Sequence, residues 1–387
     1  MQAKARAMNR RVAIVSSAQT RHGIIKNQTL GEMVFDVTRE ALSRVGLSWK
    51  DIDSVCGAGI DLIDGKSISN SSLVGPSGAY QKDESKLEED GIMAAVNAFA
   101  RVASGHFDLA LVYAASHGHT TDLDQWSRLM YEPALLRPLG MNERVALALQ
   151  ASFYINRSGA TPEDSAHAVV LSRDAAIKNE FAHMREPITL DEIMAGDEIA
   201  SPLRELDYAP ISDGAGVLIL AGEERAYEFT DKPVWISGIG NALSPYHIGR
   251  RNLASLDACT YAMKKALSMA GIKNASKEID VFETSAGTGY HEMMLYEALL
   301  LCGPEEAPSK LRSGEIGPDG KIKVNPSGGM LATNPPVTVG LLRLLESYLQ
   351  LSGQADGHQV EPANTALAHG ASGACMQSHT VVILKRE

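Results

Sequence analysis

The chain has 387 residues, 44% hydrophobic and 21% charged, a globular mix with enough apolar material for a large α/β core, which excludes extensive disorder. A formal net charge of −11 excludes a nucleic-acid partner, because phosphate backbones need a basic footprint. The four cysteines (Cys56, Cys259, Cys302, Cys375) lack metal-ligand spacing and read as reduced thiols of a cytoplasmic protein with no metal in this chain.

In chain order, the basic start is followed by an apolar run too short for a signal-peptide core, and no run approaches a membrane span, so neither export nor a membrane is expected. Residues 11–16 (RVAIVS) are β-branched and predict a buried strand. Residues 29–45 place Leu30, Met33, Val34, Val37, Ala41 and Leu42 at helical spacing, and Gly46 stands where a helix-terminating glycine belongs. Residues 51–56 (DIDSVC) return to strand, which implies a parallel crossover. Residues 91–105 have a buried-helix composition, and residues 107–115 (FDLALVYAA) predict a strand. From 117 to about 200 a mostly helical insertion is expected. Residues 214–221 (GAGVLILA) predict another strand, directly after Asp213.

The opening unit then recurs. Ala41-Leu42-Ser43 with Gly46-Leu47 reappears as Ala266-Leu267-Ser268 with Gly271-Ile272. Asp51-Ile52-Asp53 reappears as Glu278-Ile279-Asp280, and residues 233–239 (PVWISGI) precede the second copy as RVAIVS precedes the first. A repeat on this scale predicts two related α/β halves, residues 1–230 and 231–387. Residues 305–323, rich in Gly, Pro and charge, predict a surface loop.

Four segments, in order, resemble the thiolase superfamily in its sterol-carrier-type branch: residues 202–221, residues 295–302 (LYEALLLC), residues 325–329 (NPSGG) and residues 366–384. The resemblance implies the thiolase fold, two duplicated βαβαβαββ halves in a five-layer αβαβα arrangement with the active site between them. It also implies a homodimer, an acyl-CoA substrate and, in this branch, association with a small zinc-ribbon/OB-fold partner protein.

The catalytic positions of that family are nevertheless altered. A thiolase nucleophile is a cysteine at a helix N-terminus, where the dipole lowers its pKa. Counting back along the Ala-rich helix puts that position near Glu88, in Glu88-Glu89-Asp90, and no cysteine is near. The plainer reading of these acids is a solvated helix start. The family's Asn or His on the second-half strand is replaced by Phe282 or Glu283; Glu283, Tyr290 and His291 are candidate base or donors, the last two alternatively the start of a helix. The Gly-His-Pro loop reads Asn334-Pro335-Pro336, leaving Asn334 as a neutral oxyanion donor or a turn residue. Where a second cysteine belongs stands His369-Gly370, which makes His369 the candidate acid/base; Cys375 reads as a core thiol. Tyr246 and His247 are candidate donors to substrate. Arg250 and Arg251, together with the Ser327-Gly328-Gly329 turn, are candidates for holding coenzyme A, which here is a substrate rather than a resident cofactor. The alternative for the 244–251 segment is an ordinary basic surface loop.

Two functions of different class follow. One is an enzyme that makes or cleaves a C–C bond beside a CoA thioester on a bulky or aromatic acyl group, by thiolysis or retro-aldol, without an acyl-cysteine. The other is a catalytically silent subunit that scaffolds an active partner.

Overall fold

The computed structural model describes residues 10–387, so the basic N-terminal stretch lies outside the described residues. The first half runs β1 (Val12–Gln19), α1 (Leu30–Arg44), β2 (Ser54–Ala58), β3 (Asp83–Leu87), α2 (Gly91–Ala103), β4 (Leu109–His117) and β5 (Asp213–Gly222), with a single helical turn, Asp61–Asp64, between β2 and β3. The second half runs β6 (Val234–Leu243), α5 (Asp257–Ala270), β7 (Val281–Glu283), α6 (Gly289–Ala298), β8 (Ile322–Val324), α7 (Val339–Ser352), β9 (Thr365–Ser372) and β10 (Ser378–Arg386). Between β4 and β5 lie the helices Leu123–Arg128, α3 (Glu143–Ser158) and α4 (Pro162–Ala176).

Local chemistry sets these boundaries. The Thr29 hydroxyl and the Glu32 carboxylate cap α1 reciprocally, and Gly46 follows it at φ +66°, a conformation that costs glycine nothing. Met33, Val34, Val37, Ala41 and Leu42 form the buried stripe of α1, at the spacing read from the sequence.

The halves share one strand permutation. The first is ordered β3-β2-β4-β5-β1 and the second β8-β7-β9-β10-β6, and they meet where β1 pairs briefly with β6 (Ala13↔Trp235, Ile14↔Val234). Helix α1 covers the outer face of the first sheet, and α5 and α6 lie outside the second. Helices α2 and α7 pack on each other between the sheets, giving five layers. These are the two related α/β halves expected from the repeat, in the five-layer thiolase arrangement that the resemblance implies.

The helical excursion crosses to the other half. Helix α4 packs on α6, and Tyr154 Oη on α3 donates to Glu297 at 2.8 Å. The expected surface loop at 305–323 carries more structure than its composition suggests, including the helix Ala307–Arg312, with Leu311 and Ile316 fully buried as anchors. Among the described residues no helix is long and apolar enough to cross a membrane.

Candidate active site

Helices α2 and α7 occupy equivalent places in the two halves, and their N-termini converge on one carboxylate. Asp90 Oδ1 accepts from Ile92 N at 2.9 Å, and its Oδ2 accepts from Gly340 N at 3.0 Å. Both helix dipoles favour negative charge there, but burial dominates and pushes the carboxyl up to about 7. Glycine is required at 340, where a Cβ would lie 1.9 Å from Asp90 Oδ1. The acids before α2 are therefore not the solvated helix start that the sequence suggested. Asp90 is 5% exposed, and only Glu88 projects outward, held by Lys86.

In front of these helix ends opens a cavity of about 870 Å³ between the halves. Its walls are largely apolar, from Ile60, Ile63, Leu123, Trp126, Met130, Leu147, Met330 and Val337. Among the polar groups that line it, four bear on chemistry. Glu89 Oε1 accepts from Ser372 Oγ at 2.9 Å, joining the start of α2 to the end of β9 across the two halves. Asn334 also lines it, and among the described residues its carboxamide has no hydrogen-bond partner. His119, in the turn after β4, presents its ring to the cavity with Nδ1 against the carboxylate of Asp213.

The other sequence candidates are distributed differently. His369 lies behind the cavity wall: its Nδ1 faces Ser285 N at 3.4 Å, and its Nε2 lies 3.0 Å from His379 Nδ1. Burial drives both imidazoles toward the neutral form, His379 down to about 4. Glu283 is fully buried in an ion pair with Arg343 at 2.7 Å and accepts from Ser327 Oγ at 2.6 Å. Ser327, Gly328 and Gly329 do not line the cavity; the turn packs into the core, where a Cβ on Gly328 would meet Ala176 at 2.6 Å. His291 is buried in the first turn of α6 between Thr288 and Gln150.

Tyr246 is 44% exposed and donates to Met130 O at 3.0 Å, with His247 edge-on to its ring. Neither lines the main cavity. Arg250 and Arg251 border a second cavity of about 350 Å³, which shares Leu243 and Met376 with the first. Arg250 is exposed, whereas Arg251 is committed to the carbonyls of Ala374 and Cys375 at 2.9 and 3.0 Å. It thereby clamps a turn in which Cys375 and Met376 both have positive φ (+56° and +49°).

None of the four thiols lines the main cavity, and burial raises the pKa of each, Cys302 to about 12. Sequence reasoning missed His119 and the Glu89–Ser372 bridge. Asp213 was noted only as the residue before a strand. The one local signal was the alternation of His117 and His119 at a strand end.

The family model described as "Thiolase C-terminal domain-like" matches residues 240–386. An acetyl-CoA acetyltransferase of Methanothermobacter thermautotrophicus is 27% identical over 94% of this chain and 97% of its own length. Benzoylsuccinyl-CoA thiolase subunit BbsB of Thauera aromatica is 30% identical over 60% of this chain and 61% of its own. Among solved structures, the Ltp2-ChsH2(DUF35) aldolase superposes with a TM-score of 0.83 at 21% identity, covering 97% of each chain, a likeness of fold.

Proposed function

From the premise that the chain belongs to the thiolase superfamily, in its sterol-carrier-type branch, we propose that it makes or cleaves a C–C bond beside a CoA thioester without an acyl-cysteine intermediate. Two of its relatives are named as an acetyl-CoA acetyltransferase and as a benzoylsuccinyl-CoA thiolase subunit, which supports an acyltransferase-type reading. One observation carries the reading: the crevice between the halves is lined by Glu89, Ser372, Asn334 and His119 but by no thiol. A cavity of about 870 Å³ with mainly apolar walls suits a bulky acyl group.

The cavity's acidic rim (Glu88, Glu89, Asp122, Asp124) disfavours phosphates, and Arg144, the one guanidinium lining it among the described residues, is paired with Asp124. We place the CoA phosphates instead toward the second cavity, with Arg250, which has no acidic partner among the described residues, to meet them and Arg251 holding the turn between the two. A homodimer, a zinc-ribbon/OB-fold partner and a cytoplasmic location belong to the same proposal. The partner is supported by a fold neighbour whose structure is named as a complex with a DUF35 protein, and by a relative named as a subunit.

The test is to assay the full chain, alone and with its genomic neighbours, on 3-oxoacyl- and 3-hydroxyacyl-CoA thioesters with bulky acyl groups. Released thiol and carbonyl product are followed before and after treatment with iodoacetamide. Turnover that survives alkylation, with no acyl adduct on cysteine by mass spectrometry, is the expected result. An acyl-cysteine adduct overturns the mechanism, and no turnover in any combination leaves the silent scaffold as the better reading.

A further inference from the structure

Asp213 has no solvent exposure, yet no lysine or arginine pairs with it among the described residues. Its carboxylate is fixed by backbone donors, Ile25 N at 2.7 Å and His119 N at 3.1 Å, and by the Nδ1 side of His119. Strand pairing holds the acid in place, since Asp213 opposes His117 in the β4–β5 ladder and bridges to Gly23. His117 and His183 also feel this charge, but among the described residues only His119 has Nδ1 against the carboxylate, a contact that favours the tautomer protonated there. Nε2 is then the nitrogen left for a ligand, and the ring, 22% exposed, lines the cavity.

We infer that His119 is the acid–base group of this cavity, with Asp213 as its positioning residue, acting on the β-oxygen and α-carbon of an acyl-CoA thioester. The inference rests on the carbon–carbon reading above and names the group that moves the proton. In the cleavage direction, Nε2 takes the proton from the β-hydroxyl of a 3-hydroxyacyl thioester. The O–H electrons form the new C=O as the Cα–Cβ bond breaks, and that bond's pair passes to the thioester enolate. The Asn334 carboxamide donates to the enolate oxygen. The imidazolium then returns the proton to Cα, releasing a carbonyl compound and a shortened thioester; atoms and electrons balance without any further reactant. Asp213 fixes the tautomer for the first transfer and stabilises the imidazolium between the two.

The deciding experiment separates the proton transfer from the bond cleavage. Exchange of the Cα hydrogens of acetyl-CoA and of 3-phenylpropanoyl-CoA into D2O is followed by mass spectrometry with the full-length protein in the assembly in which it purifies, alongside the C–C assay. Wild type should exchange. His119→Gln should lose about 10²–10⁴-fold, the usual span for an acid–base group, and His119→Gly should recover exchange with added imidazole, which a purely structural role would not allow. Asp213→Asn, checked for folding by circular dichroism, should also slow exchange, and His106→Ala, at an exposed position, should not. Exchange in His119→Gln at the wild-type rate, or none in wild type, overturns the dyad. Exchange that depends on His119 without any C–C turnover keeps the dyad and removes the carbon–carbon reading.

Discussion

The two halves are built on one strand permutation, yet they use the equivalent ends of their sheets differently. In the first half, the segments before α2 and after β4 bring titratable groups to the cavity, among them Glu89 and His119, the latter backed by Asp213 at the start of β5. In the second half, the charged and imidazole groups near the same level are turned inward. Glu283 is spent on Arg343, Glu346 on His358, and His369 on His379. What the second half shows to the cavity is neutral: Asn334, Ser285 and Ser372. Duplication thus preserves where a residue sits, while the partners packed behind it decide whether it does chemistry or holds the core.

This comparison breaks most readily at Arg343. Removing it strands Glu283 as a buried, unpaired carboxylate at 0% exposure, and loss of one partner of a buried pair costs about 3–5 kcal/mol. Arg343→Met should lower the urea midpoint accordingly, whereas Glu89→Gln, which keeps an oxygen to accept from Ser372 Oγ, should leave it nearly unchanged. Equal destabilisation by the two would mean that the halves do not divide these roles.

The next effect is the pH dependence of Asp90, where the halves meet. Its carboxyl titrates near 4 when unfolded and near 7 when folded, so between those values the folded state holds a proton that the unfolded state has released. The group's contribution to stability is therefore greatest at the acid end and falls as pH rises through that window, by on the order of 4 kcal/mol, levelling off above it. Asp90→Asn should remove this component, so the variant's unfolding free energy should change less between pH 5 and 8 than that of wild type. Parallel profiles would show that the two helix N-termini, not burial, govern this carboxylate. A smaller loss, about 1–3 kcal/mol, is expected for Gly340→Ala, whose new methyl group overlaps the Asp90 carboxylate. Thermal unfolding at fixed pH measures it, and a neutral result would mean that the two helix ends can separate without cost.

These sites also mark how far the sequence could be read. The fold was legible because its signals are local: the α1 stripe closed by Gly46, and the repeated unit ending in Gly271 and Asp280. The missing thiol was legible too, since it needed only a residue identity at a helix start. The working groups were not. His119 and Asp213 are far apart in sequence and meet only through the antiparallel register of β4 with β5, and Glu89 meets Ser372 only when the halves close. The glycine turn at 327–329 has the look of a binding loop because both a loop and a tight core turn need glycine; its role was set by Glu283, Arg343 and Ala176, which lie elsewhere in the chain.

The smallest effect belongs to Tyr246, the exposed candidate of the second half. Its hydroxyl donates to the Met130 carbonyl at 3.0 Å, and its ring lies beside His247 at the protein surface. Water can replace that bond, so Tyr246→Phe should cost no more than about 0.5 kcal/mol, the usual range for surface substitutions. Because the hydroxyl is engaged outside the cavity, turnover and Cα exchange should stay near wild type, in contrast to the loss expected at His119. A large fall in kcat with unchanged stability would mean that the 244–251 loop swings inward when substrate binds. The second half would then contribute a reactive group of its own, and the division of labour between the halves would hold only for the unliganded protein.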